Sequence, residues 1–153
     1  MTITLEEIQA DYAALAAKIA AYETAKAAAA VRRTISIPAA TITLVDGETY
    51  AGVVLNDDGT PSHHLVLLPG ETEATWADAK AWATKAGGEL PTRREQSLLF
   101  ANAKAGFKAR WYWSSEKHEN GSYAWFQYFD DGDQLTDHVG HGNCARAVRR
   151  LNP

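Results

Sequence analysis

The residues best able to do chemistry lie near the C-terminal end. His138-Val139-Gly140-His141-Gly142-Asn143-Cys144 offers two imidazoles and a thiol in one short run, the ligand types that zinc and related metals prefer. Such a site needs a fourth ligand and a demanding loop geometry. Cys144 also opens an apolar run, where a buried, inert thiol is the ordinary outcome. Ser114 or Ser115 paired with a histidine would give a nucleophile and a base, but the strand-to-helix turn that exposes a hydrolase serine is missing. Asp130, Asp131 and Asp133 lack the ligand spacing of a calcium loop and read as turn residues. His63 and His64 are adjacent, so on a strand they point to opposite faces and do not share a metal. No catalytic set, metal or cofactor is expected, and the chain reads as a non-enzyme.

What remains is a stretch suited to display. Between Trp111 and Arg150, an aromatic strand places Tyr123, Trp125 and Phe129 on one side and Ala124, Phe126 and Tyr128 on the other. Asp131-Gly132 predicts a tight type I′ hairpin turn. From Gln134 to Asn143 the residues are mostly polar and broken by Gly140 and Gly142, so they are expected to lie in solvent between anchored strands. A rigid scaffold commonly presents a recognition loop this way. The candidate contacts are His118, Glu119, Asn120, Gln127, Asp131, Asp133, Gln134, Thr136, His138, His141 and Asn143. Short or planar polar groups beside aromatic rings suit adaptable hydrogen bonding and stacking.

The elements that must position this stretch are legible upstream. Thr4-Leu5-Glu6-Glu7 has the form of a capping box. Leu5, Ile8, Tyr12, Leu15, Ile19 and Tyr22 follow at alternating gaps of three and four, the seam of a short coiled coil. An alanine-rich run carries that helix to about Val31, and Ile35, Ile37 and Pro38 close the arm. The narrow seam cannot bury itself, so self-association is expected through residues 1–36. Residues 37–153 are expected to form the display domain. Thr41–Val45, Tyr50–Leu55 and His63–Leu68 predict a three-strand meander that ends at Pro69-Gly70-Glu71. A helix follows from Thr75-Trp76-Ala77-Asp78, with Asp78 capping its first turn, and Gly87-Gly88 stops it. Thr92 and Glu95 make a second capping box, for a helix ending near Gly106 on the outside of a sheet. The final strand runs through Ala145 and Ala147. This order gives an α+β fold, not repeating βαβ units.

Composition excludes several classes. At 153 residues with a net charge of -4, the chain holds one core and lacks the basic face that nucleic acid requires. One cysteine permits no intrachain disulfide. No run approaches the ~20 apolar residues of a membrane span, so no membrane insertion is expected. With no basic region and apolar core at the N-terminus, synthesis and folding in a bacterial cytoplasm are expected, with incorporation into a virion as a later fate.

Four motifs carry a resemblance covering about Gly70 to Leu151. Leu90-Pro91-Thr92-x-x-Glu95, Trp111-Tyr112-Trp113-Ser114-Ser115, Tyr123-Ala124-Trp125 and Arg146-Ala147-Val148-Arg149-Arg150 resemble the Lcl-type domains. These are a branch of the C-type-lectin-like fold related to formylglycine-generating enzymes, found in small phage and prophage proteins. The resemblance implies a mixed sheet with two helices and a ligand-facing last hairpin. It also favours a trimer, as in the variable receptor-binding proteins of diversity-generating retroelements. The Glu-Pro-Asn and Trp-Asn-Asp motifs of calcium-dependent lectins are absent, and Cys144 alone does not supply the cysteine pair of the enzymes. Glu95 and Arg146, one from each of two family motifs, are expected to pair. The function implied is a phage tail-associated receptor-binding or adhesion module, facing a host-surface protein or glycan. The alternative is a virion structural or assembly component contacting another phage protein.

Overall fold

The computed structural model describes residues 3–28 and 39–153, and the chain divides into two units, Met1–Ile35 and Ser36–Pro153. In the first, α1 spans Leu5–Ala28. Its start is capped reciprocally: Thr4 N donates to Glu7 Oε2 at 2.9 Å and Glu7 N donates to Thr4 Oγ1 at 3.3 Å. The expected extension to Val31, the closing Ile35, Ile37 and Pro38, and the boundary between residues 36 and 37 lie outside the described residues. The apolar seam is exposed along its length, from 51% at Ile19 to 75% at Tyr12.

The second unit is α+β, with two sheets and two helices. Strands β1 (Thr49–Leu55) and β2 (Pro61–Leu67) form a hairpin, and β8 (Val148–Leu151) completes an antiparallel sheet in the order β1-β2-β8. The expected first meander strand, Thr41–Val45, is not a strand. β2 takes its second partner from the far end of the chain instead, with Leu65 opposite Arg150 and Leu67 opposite Val148. Covered on both sides, His64 to Leu67 are all buried.

The second sheet has the order β3-β7-β4-β5-β6, from β3 (Thr72–Ala74), β4 (Trp111–Lys117), β5 (Tyr123–Tyr128), β6 (Gln134–His138) and β7 (Asn143–Ala145). Only β4 and β7 run parallel. Beyond Glu71, where the meander has ended as expected, an additional strand β3 pairs with β7 in this second sheet. One expectation changes here. The expected single last strand splits into β7 and β8, one in each sheet. Arg146 sits at that crossover, its guanidinium donating to Leu68 O at 2.9 Å and to Gly106 O and lying over the Phe107 ring.

Helix α2 (Trp76–Lys85) is capped by Thr75, whose Oγ1 accepts from Asp78 N; Asp78 is the third helical residue and not the cap itself. Helix α3 (Arg93–Asn102) begins with the complete Thr92–Glu95 capping box. It ends at Asn102, short of Gly106, and a 3-10 turn covers Lys104–Gly106. α3 is not a peripheral element: it packs against β1, β4 and β5, so it touches both sheets. Leu99 enters a core with Leu65, Leu67, Tyr112 and Phe129. Ala79 and Ala83 of α2 enter a second core with Trp113, Phe126 and Leu90. Full burial of each large apolar side chain contributes about 1.5–3 kcal/mol.

Candidate binding surface

The hairpin of β5 and β6 sets the geometry. Its register places Tyr123 opposite His138, Trp125 opposite Thr136 and Gln127 opposite Gln134, all on one face. The connection is not the expected type I′ turn, because only Gly132, at φ 90°, has a positive φ. A longer loop forms instead, with Gly132 N donating to Tyr128 O at 2.8 Å and Tyr128 N to Asp133 O at 2.9 Å. Asp131 accepts from Asp133 N through its side chain. β6 is also a correction, since the polar segment expected in solvent contributes an edge strand to the sheet.

At the Gln127 end this face turns inward. Gln127 is 1% exposed. Its Oε1 accepts from Gln134 Nε2 at 2.7 Å, and Gln134 also donates to Arg93 O at 2.8 Å. Both expected contact residues therefore fasten β5 and β6 to α3, and Gln127 offers nothing to a ligand. Asp131 and Asp133 are exposed at the same end, beside Lys104, whose Nζ donates to Asp130 O at 2.5 Å.

The Tyr123 end, about 14 Å from Gln127 along β5 at the usual strand rise, gathers the rest, with Trp125 midway. Tyr123, 39% exposed, meets His138 edge to face at 5.7 Å. His138 and His141 lie 5.5 Å apart, and His118 is 5.8 Å from Trp125. Arg93 from α3 stacks over the Trp125 ring at 3.6 Å. Glu119 and Asn120 are exposed in the neighbouring turn, and Thr136 and Asn143 are partly covered. The eleven candidates thus divide into an aromatic and imidazole patch, a separate acidic turn, a buried Gln127 and a partly covered Gln134.

Side chains lock the loops around the patch. Asp137 Oδ1 accepts from His141 Nδ1 and from His138 N, both at 2.8 Å, and Oδ2 accepts from Asn143 Nδ2 at 2.8 Å. Burial raises the Asp137 pKa, but the bonds from Asn143 and His141 outweigh it and hold the carboxyl below its ordinary range. His138 Nδ1 accepts from Gly140 N at 3.1 Å, and Asn120 Oδ1 accepts from Ser122 N at 3.2 Å. Val139 N donates to Ser122 O at 3.0 Å, joining the two loops.

These bonds bear on the metal reading. His138 Nδ1 and His141 Nδ1 are both engaged, and Cys144 is buried in the core, where burial pushes its thiol pKa up. Among the described residues, no group of three His, Cys, Asp or Glu side chains is placed to hold a metal ion. Ser114 is fully buried, its Oγ accepting from Glu116 N. His63 and His64 diverge as expected: His63 reaches Glu95 at 2.7 Å, and His64 meets the Tyr50 hydroxyl at 2.9 Å.

Three residues of this surface escaped the sequence reading as contacts: Tyr123, Trp125 and Arg93. Alternation along β5 pairs the first two on one face, but only the register shows that His138 and Thr136 stand beside them. Nothing in the sequence placed Arg93, from another element, over Trp125.

Glu95, the expected partner of Arg146, instead receives Arg150. No family model matches the chain, and no curated protein matches it. No helix among the described residues is long and apolar enough to cross a membrane.

Proposed function

We propose that this protein is a C-type-lectin-like ligand-binding module of a phage or prophage tail, serving receptor binding or adhesion. Its contact surface is the patch of His118, Tyr123, Trp125, Thr136, His138 and His141. The observation that carries this reading is the pairing of the exposed Tyr123 ring and the exposed His138 and His141 imidazoles with loops that side chains have already fixed. A surface ordered before binding loses less entropy when a partner arrives. The two-helix, two-sheet architecture, with the last strand returning beside β2, supports the resemblance in the sequence motifs. A host-surface protein or glycan is the partner proposed.

A second reading, assembly contact with another phage protein, is favoured by Leu135, which remains 54% exposed on the other face of β6. One experiment separates the two. A Tyr123→Ala, His138→Ala variant of the full chain is tested for binding to host cells and for incorporation into particles. Loss of cell binding of tenfold or more, with an unchanged denaturation midpoint, supports the receptor reading. Intact cell binding with failed incorporation supports assembly, and no change in either measurement overturns both.

A further inference from the structure

The exposed seam of α1 lies outside the patch and has its own logic. Taken by itself, the helix presents Leu5, Ile8, Tyr12, Leu15, Ile19 and Tyr22 to solvent, each more than half exposed. An isolated amphipathic helix of this length is marginal in water, and most helical stability comes from burying such a face. We propose that the occupant of the seam is a second copy of α1, and that the two helices run antiparallel.

The side chains that would face one another distinguish the orientations. With Leu5, Tyr12 and Ile19 at the first seam position and Ile8, Leu15 and Tyr22 at the second, a parallel in-register pair stacks each residue on its own copy. Layers of two tyrosines would then alternate irregularly with layers of two leucines or two isoleucines. Antiparallel pairing sets Tyr12 against Leu15, Tyr22 against Leu5 and Ile8 against Ile19. Every tyrosine then faces a leucine, and the core keeps a more even width, as close packing of large against smaller residues requires.

Charge agrees with this choice. Flanking pairs are available in either direction: Lys18 with Glu23 of the other copy when parallel, Asp11 with Lys18 when antiparallel. The distribution along the helix is one-sided, however. Glu6, Glu7 and Asp11 make the first half acidic, while Lys18, Glu23 and Lys26 leave the second half net basic. Antiparallel pairing lays acidic against basic halves and opposes the helix dipoles; parallel pairing lays acid on acid. The trimer implied by the family resemblance would be parallel and would bring three acidic ends together.

The test uses the full chain. Sedimentation equilibrium should give the mass of two copies, and a Leu15→Glu, Ile19→Glu variant should run as one copy with the same tryptophan fluorescence spectrum, since all five tryptophans lie in the second unit. For orientation, Leu5→Cys and Tyr22→Cys chains are oxidised separately and as a mixture, with the parent and its buried Cys144 as control. Antiparallel pairing puts the two copies of residue 5 about 25 Å apart at the α-helical rise, so each variant alone stays uncrosslinked. The mixture yields a disulfide joining residue 5 to residue 22. A disulfide between two copies of residue 5, a three-copy mass, or a single-copy mass for the parent overturns the proposal.

Discussion

Glu95 accepts from two nitrogens of Arg150, Nε at 2.6 Å and Nη2 at 2.9 Å, and so joins the first turn of α3 to the last strand. The same carboxylate accepts from Thr92 N at 2.7 Å and contacts His63 Nε2 at 2.7 Å. One 1%-exposed side chain thus connects a helix start, β2 and β8.

Removing it leaves Arg150 with Glu89 as its one carboxylate partner and takes the acceptor from Thr92 N and His63. Glu95→Ala is expected to cost about 3–5 kcal/mol, the range for breaking a buried pair from one side. Arg150→Ala should cost less, because its side chain is 28% exposed and Glu95 keeps Thr92 and His63. Urea denaturation of both single variants and the double variant measures the coupling, and strictly additive losses would show that the pair does not act as a unit.

Acid should loosen the fold through the same group. Burial raises the Glu95 pKa, but the bonds from Arg150, Thr92 and His63 outweigh it and hold it below the ordinary 4.5; Asp137 is likewise held below 3.8. A depressed folded pKa gives stability that is fully present above the unfolded value and lost as pH falls through the folded value. The urea midpoint should therefore fall as pH drops below about 4.5. Glu95→Gln should start from a lower midpoint and show a shallower fall.

Asp137 organises the loop between β6 and β7 rather than the core. Asp137→Asn keeps the shape but replaces a charged acceptor of three donors. A loss of about 1.5–3 kcal/mol is expected, the range for hydrogen bonds to charged groups. Hydrogen exchange should quicken at His138 and His141 while the amides of β4 stay protected. Equal protection in variant and parent would remove Asp137 from the role of loop organiser.

Gly88 is fixed by proximity to another strand. A Cβ there would stand 2.3 Å from Val148 O and 2.8 Å from Leu68 Cδ1. The neighbouring Glu89 N and O bond to Val148 O and N at 3.0 and 2.8 Å, so the backbone of β8 cannot easily retreat. Gly88→Ala should cost about 1–3 kcal/mol, as overpacking usually does. Gly121→Ala is the comparison: its Cβ meets nothing within 4 Å, and only the backbone strain of φ 74° remains. Thermal denaturation should rank Gly88→Ala as the more damaging change.

Much of the local structure was legible because it depends on neighbours in sequence. The Thr4–Glu7 and Thr92–Glu95 caps, the helix from Trp76 and the β5 strand follow from side chains three or fewer positions from the backbone they serve, or from simple alternation. The hairpin turn was less legible. A type I′ turn asks for positive φ at both central residues, and the loop around Gly132 meets its needs with one, because a longer connection brings Asp133 back to Tyr128.

Pairings distant in sequence escaped a one-dimensional reading. Both Arg146 and Arg150 sit in the last motif, and nothing in their spacing says which faces Glu95. The crossover between sheets decides it, turning Arg146 toward Leu68 and Gly106 and Arg150 toward α3. For the same reason Gln127, polar and apparently available, proves to be an internal fastener, and Thr41–Val45 forfeits its place in the sheet to β8. Sequence alone determined the α+β class, the caps, the exposed seam of α1 and the aromatic character of the hairpin, since these rest on composition, periodicity and local bonding. Tertiary structure alone decided which polar residues meet solvent and which meet one another, because burial and pairing depend on segments that only folding brings together.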